Sequence, residues 1–198
     1  MEYVVAVVAG YLLGSIPVAL MVGRRHGVDL RTVGDGNPGA WNALQQLGAR
    51  AATPVFVGDA LKGLAAGLLG LALGDVWTAY AAIAAAMLGH AFPVFASFRG
   101  GKSVMTFAGG AFAVAPVPAA IALALCLVVS AVARSFAIGA RVGVFSFPLI
   151  QLAFAPVAEV AATGGLMCII GLRFAADHLA RRRGGTSGQP GPRTDQVS

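Results

Sequence analysis

Long apolar runs alternate with short polar, glycine-rich segments along the whole chain. Residues 3–23, about 51–73, 76–98 and 157–173 are each apolar over a length that suits a membrane-crossing helix, which needs roughly 17–25 residues. Residues 103–133 are apolar as well, with Pro116 and Pro118 in the middle. Proline has no amide proton and breaks a helix, so this run predicts two short helices joined by a turn. Residues 142–156 predict one more short span. The pattern predicts seven spans, with five as the alternative because the fourth to sixth are short.

Composition sharpens the picture. Hydrophobic residues make up 58% of the 198 and charged residues 11%, and mean hydropathy is +0.80. A soluble domain is about 45–50% apolar and about 25% charged. Disorder, a collagen-like chain and a soluble globular domain are excluded. The two cysteines, Cys126 and Cys168, lie in apolar runs and make neither a disulfide framework nor a metal site. The net charge of +6 would suggest nucleic acid as a partner of a soluble protein, but here basic residues report sidedness. With seven spans and the N-terminus outside, all but Lys62 of the 14 lysines and arginines fall in or beside cytoplasmic segments. The outer turns carry Glu2, Asp75 and Glu159. The start does not read as a signal peptide, because Arg24 and Arg25 follow the apolar run instead of preceding it. The expected fold is therefore an all-α integral membrane protein, a bundle of about seven transmembrane helices with its N-terminus outside and its C-terminus cytoplasmic. Residues 1–183 form one domain, and 184–198, rich in Gly, Pro and polar residues, read as a disordered cytoplasmic tail.

The polar segments gather on one side: 29–42 (DLRTVGDGNPGAWN), 99–103 (RGGKS), 134–141, and the basic stretch from Arg173 to Arg183. Irregular backbone beside a membrane is tolerated where it lines a cavity or contacts protein, so these segments predict one shared site; solvated connectors are the alternative. RGGKS opens the fourth span. Amides at a helix start are unpaired and attract anions, and Lys102 adds a point charge, which suits a phosphate. A tight interfacial turn with a snorkelling lysine is the alternative. It is not a Walker A loop, since the leading glycine would fall at Ala96 and no strand precedes it. Asp59 and Lys62, three apart on the second span, share a helix face and can pair. They serve as a structural ion pair or support the neighbouring polar loop. His90 reads as a helix-packing residue, Phe92, Phe95 and Phe98 as packing or interface anchors, and His26 as a solvated loop residue.

GSIP at 14–17, DLR at 29–31, GDGNPGAWN at 34–42, GDALKG at 58–63 and GHAFPVFASFRGGKSVMT at 89–106 together resemble the PlsY family of bacterial acyl-phosphate:glycerol-3-phosphate acyltransferases. The resemblance runs over nearly the whole chain. It implies a multi-pass protein of the bacterial inner (plasma) membrane that moves a fatty acyl group from acyl phosphate to the 1-hydroxyl of glycerol 3-phosphate. The products would be lysophosphatidate, which enters phospholipid synthesis, and phosphate. It implies no cofactor, no metal and no nucleic acid. The partners are the two substrates, the lipid bilayer and, by extension, other lipid-synthesis enzymes. On this resemblance Asp35, Lys102 and His178 stand at the catalytic positions. Asn37, Asn42, Gly100, Gly101, Lys102, Ser103 and Arg134 take the substrate phosphates, and Asp59, Lys62 and His90 are structural polar residues.

The chain departs from the family pattern at several places. Asp35 stands where serine is usual, Gln45 where arginine is usual, and Ser103 where glycine is usual. Ala137 and Ala140 replace the polar residues expected after Arg134. In the last motif Ala175 stands for histidine, His178 for asparagine and Ser187 for glutamate, while Arg181 is kept. Asp35 and Gln45 each make the site one charge more negative, which predicts weaker phosphate binding unless Arg173 and Arg181–Arg183 compensate. A catalytically degenerate paralogue, acting as a lipid-binding or assembly protein, is the second reading. A small transporter is a third, supported only by Asp59 and Lys62; the lack of an internal repeat argues against it.

Overall fold

The computed structural model describes residues 1–184. Expectations for the 185–198 tail lie outside the described residues. The helices are α1 (Glu2–Gly14), α2 (Val18–Arg25), α3 (Ala40–Leu47), α4 (Ala49–Leu73), α5 (Val76–Ala91), α6 (Val104–Val114), α7 (Pro116–Val132), α8 (Phe136–Gln151) and α9 (Val157–Gly184), with a 3-10 turn at Val94–Ala96 between α5 and α6. Among the described residues, Glu2–Arg25, Ala49–Leu73, Val76–Ala96 and Val157–Arg182 are long and apolar enough to cross a membrane. Shorter apolar helices run over Val104–Val114, Pro116–Val132 and Phe136–Gln151. Large hydrophobic side chains such as Val8, Leu68, Leu127, Leu149 and Leu172 are exposed on the outside of the bundle. That is the surface a lipid-solvated protein presents.

The division of 103–133 at the prolines is as expected: Pro116 opens α7, where a missing amide costs nothing. Two boundaries differ. The run 3–23 is not one rod, because it breaks at Ser15–Pro17. Pro17 cannot donate, and Ser15 turns its hydroxyl back onto Tyr11 O at 2.8 Å. At the break the carbonyl of Ile16 accepts from the Val18 amide at 3.0 Å and from Lys62 Nζ on α4 at 3.2 Å. Lys62 also lies 2.9 Å from Asp59 Oδ1, with both side chains buried. His90 Nδ1 on α5 lies 3.5 Å from the same oxygen. The intramembrane charges therefore tie a broken helix to its neighbours, as buried irregular backbone requires. The second difference is α8, expected from residue 142 and found from Phe136. Phe136 stacks on Trp41 of α3 at 6.0 Å and meets Phe56 of α4 edge-on at 5.4 Å. Those contacts hold the turn preceding Arg141 as helix.

Glycines let the helices close on each other. A Cβ at Gly63 of α4 would meet Thr106 O of α6, and one at Gly109 of α6 would meet Ala60 O of α4. The two backbones touch from both sides, the close packing that replaces hydrophobic drive inside lipid. A buried polar triad joins three other helices. Gln151 Nε2 of α8 donates to Tyr80 Oη of α5 at 2.9 Å, and Thr163 Oγ1 of α9 donates to Gln151 Oε1 at 2.8 Å.

The bundle has two distinct ends. At one, Tyr3 Oη donates to Asp75 Oδ1 at 3.3 Å, which places the start of α1 beside the α4–α5 turn. Asp75 caps α5 by accepting from the Thr78 amide at 2.9 Å. At the other end Arg173 and Arg181 of α9 reach the segments 29–39 and 97–103.

A cationic cleft at one end of the bundle

The segment after α2 folds around its own polar side chains. Asp29 Oδ1 accepts from the Arg31 amide and from Arg31 Nε, each at 3.0 Å, and Asp29 Oδ2 accepts from the Arg31 guanidinium at 2.7 Å. The Arg31 side chain first, and its amide second, hold the Asp29 carboxyl down at about 2. Asn42 is buried: its Nδ2 donates to Leu30 O at 2.9 Å and Val33 O at 3.0 Å, and its Oδ1 accepts from the Asp35 amide at 3.4 Å. Asp35 Oδ1 accepts from the Asn37 amide at 3.0 Å, a local turn of the Asx type. Gly34 and Gly36 take positive φ, 58° and 66°, and a Cβ at Gly34 would strike Asn42 Oδ1.

The segment 97–103 is shaped differently from the expected anion loop. The Gly100 amide donates to Ala91 O at 3.2 Å and the Gly101 amide to His90 O at 3.1 Å. Arg173 Nε donates to Gly101 O and its NH2 group to Gly100 O, each at 3.2 Å. These glycine amides are thus occupied and do not present themselves to a ligand. The glycines are needed for packing: a Cβ at Gly100 would meet His90 O, and one at Gly101 would meet His90 Nε2. Ser97, Phe98 and Ser103 carry φ of 55°, 59° and 62°, an unusual run of left-handed residues without glycine. Ser103 is buried and donates to Met87 O at 2.7 Å.

Lys102 closes a ring of charges. Its Nζ lies 3.4 Å from Asp35 Oδ2 and 2.9 Å from Asp177 Oδ2. Arg181 lies 2.9 Å from Asp177 Oδ2 and 3.7 Å from Asp35 Oδ2, and donates to Asp35 O at 2.6 Å. Lys102 Nζ also sits 4.6 Å from the centre of the Phe174 ring. The ring is neutral in sum, so its cations are not the ones left over for an anion. Beside it opens a cleft of about 240 Å³ bounded by Arg31, Asn37, Arg99, Arg173 and Asp177. Arg173 stacks over Phe92 at 4.9 Å. Arg99 and Arg173 have no carboxylate partner among the described residues.

Of the residues singled out from the sequence, Asp35, Asn37, Gly100, Gly101 and Lys102 meet at this end. Asn42 and Ser103 lie behind them as buried framework. Asp59, Lys62 and His90 form the cluster beneath Gly101. Arg134 is exposed at the α7–α8 turn with φ of 49°, and His178 is exposed; neither bounds the cleft. Arg31, Arg99 and Asp177 were not assigned roles from sequence. For the first two the signal was there, since DLR and FRGG are polar breaks between apolar runs. Asp177 was the single acid in the basic stretch 173–183. Among the described residues no group of three His, Cys, Asp or Glu could hold a metal ion.

Fold and cleft together define a multi-pass helical membrane protein with a cationic, partly irregular mouth at one end. The chain belongs to the glycerol-3-phosphate acyltransferase family, whose model matches residues 4–182. A glycerol-3-phosphate acyltransferase of Rubrobacter xylanophilus is 45% identical over 140 residues, 70% of each chain. The Clostridioides difficile glycerol-3-phosphate acyltransferase is 36% identical over 158 residues, 76% of this chain and 78% of that one. The crystal structure of PlsY (YgiH), an integral membrane glycerol 3-phosphate acyltransferase, in its glycerol 3-phosphate form superposes with a TM-score of 0.81 at 31% identity, covering 96% of both chains.

Proposed function

We propose that this chain is a bacterial inner-membrane enzyme that transfers a fatty acyl group to glycerol 3-phosphate, with acyl phosphate as the donor. Family membership and the names of the curated relatives support the acceptor and the reaction. The observation that carries the site is the cleft with two guanidiniums, Arg99 and Arg173, lacking a carboxylate partner among the described residues. Two cations without a carboxylate partner match the charge of a phosphate monoester. The Arg99 fork suits its oxygens, and Arg173, whose Nε and one terminal nitrogen hold Gly101 O and Gly100 O, keeps its other terminal nitrogen for it. Asn37 adds a neutral donor. In this reading Arg173 offsets one of the two charges by which Asp35 and Gln45 make the site more negative.

The chemistry asks little of the protein. The 1-hydroxyl of glycerol 3-phosphate attacks the acyl carbonyl carbon. The bond from that carbon to the phosphate oxygen breaks, and phosphate departs with the hydroxyl proton. Acyl phosphate is an activated mixed anhydride, so holding the reactants together and neutralising phosphate charge lowers most of the barrier. The acyl chain can lie in lipid while both phosphates meet the cationic end, provided that end faces the cytoplasm, as the distribution of basic residues supports. Purified protein in liposomes, given acyl phosphate and glycerol 3-phosphate, tests the proposal by forming lysophosphatidate. Absence of product with folded protein favours the paralogue reading. The transporter reading loses its basis, since Asp59 pairs with Lys62, and Lys62 donates to Ile16 O at the helix break.

A further inference from the structure

We infer that Asp177 reads the acceptor's second hydroxyl and so makes the site selective for a diol phosphate over a simple hydroxyalkyl phosphate. The inference rests on the proposed function and deepens it. Asp177 is the one acidic residue among those bounding the cleft, which it shares with Arg31, Arg99 and Arg173. Its Oδ2 is fixed by two cations, Lys102 Nζ and Arg181 NH2, each at 2.9 Å. Its Oδ1 has no partner among the described residues, although the side chain is only 32% exposed. One oxygen therefore anchors the carboxylate, and the other remains a pure acceptor on the cleft wall.

A carboxylate repels the phosphate end of a ligand, so that end belongs with the guanidiniums. The part facing Asp177 must be an uncharged hydrogen-bond donor. Glycerol 3-phosphate carries two hydroxyls and only one of them reacts. The reacting 1-hydroxyl must point at the acyl carbonyl, which leaves the 2-hydroxyl for the wall. A carboxylate oxygen set to accept from the 2-hydroxyl favours glycerol 3-phosphate over the analogue that lacks it, because a hydrogen bond to a charged group is then lost. Sequence did not expose this role, since Asp177 reaches the cleft only when α9 lies against the segments 29–39 and 97–103.

The test compares two acceptors on the same preparation: glycerol 3-phosphate and 3-hydroxypropyl phosphate, which lacks the 2-hydroxyl. A ratio of kcat/KM values cancels any fraction of misfolded protein. The unmodified protein is expected to favour glycerol 3-phosphate by about tenfold or more, the size of a hydrogen bond to a charged group. In Asp177→Ala the ratio is expected to fall to about one, chiefly through loss on glycerol 3-phosphate, and Asp177→Asn, which keeps an acceptor oxygen, should retain part of the preference. An unchanged ratio in Asp177→Ala overturns the inference. So does an equal loss on both acceptors, which would make Asp177 a base or a general support for Lys102. Unmodified protein that turns over neither acceptor overturns the function on which the inference stands.

Discussion

Asp35 Oδ2 lies 3.4 Å from Lys102 Nζ, so a carboxylate of the first polar segment already neutralises the lysine of RGGKS. The contact is partly exposed, with Asp35 at 30%, and such pairs contribute about 0.2–1 kcal/mol. Asp35→Ser leaves Lys102 on Asp177 at 2.9 Å but removes one negative charge beside the cleft, and should lower KM for glycerol 3-phosphate by up to about fivefold, the ceiling of that energy. Serine can still accept from the Asn37 amide, so the turn should survive. A higher KM in Asp35→Ser would mean that the carboxylate assists binding. Lys102→Ala removes one of the two cations that anchor Asp177 and leaves the ring net negative beside the cleft, so it should reduce kcat/KM by about 10- to 100-fold. Unchanged kinetics in Lys102→Ala would make the segment a plain turn.

Ser103 holds a left-handed φ of 62° and bonds Met87 O. Glycine relieves the backbone cost but loses the bond, so Ser103→Gly should leave thermal stability in detergent nearly unchanged. Ser103→Ala keeps the cost and loses the bond, and should destabilise by about 1–2 kcal/mol. Equal melting temperatures for the two variants would contradict this account of the position.

Gln151 is the hub of the buried triad with Tyr80 and Thr163. Gln151→Leu leaves two hydroxyls to each other in an apolar core. The expected loss is about 1–3 kcal/mol, read as a lower unfolding midpoint with kinetics at the distant cleft little changed. A variant as stable as the parent would show that the two hydroxyls repair the network themselves.

The apolar helices, the proline turn at 115–116 and the gathering of polar segments at one end were legible in the sequence, because each depends on local hydropathy or on proline. What stayed hidden depends on partners far along the chain. The break at Ser15–Pro17 has a local signal in Pro17, but the donor that stabilises it inside the bundle, Lys62, is on another helix. Phe136 starts α8 early by stacking on Trp41. The amides of Gly100 and Gly101 look like an anion nest in sequence, yet the α5 carbonyls of Ala91 and His90 take them. Tyr80, Gln151 and Thr163 are unremarkable one by one and meet only in the folded bundle.

Orientation is open to a direct check. In a Cys168→Ala background, since Cys168 is exposed and Cys126 buried, single cysteines replace Glu2, Glu159 and Arg50. Impermeant maleimide should label positions 2 and 159 from outside the cell and position 50 only after the membrane is opened. The reverse pattern would place the cleft on the outer face.

Turnover in liposomes, followed by 31P NMR, tests the central claim most directly. Acyl phosphate and glycerol 3-phosphate should convert to lysophosphatidate and inorganic phosphate in equal amounts. Arg99→Ala and Arg173→Ala, which remove the two guanidiniums left without a carboxylate among the described residues, should each lower kcat/KM by at least about tenfold. Product formation that is unchanged in both variants, or phosphate release without lysophosphatidate in the unmodified protein, would contradict acyl transfer at this cleft.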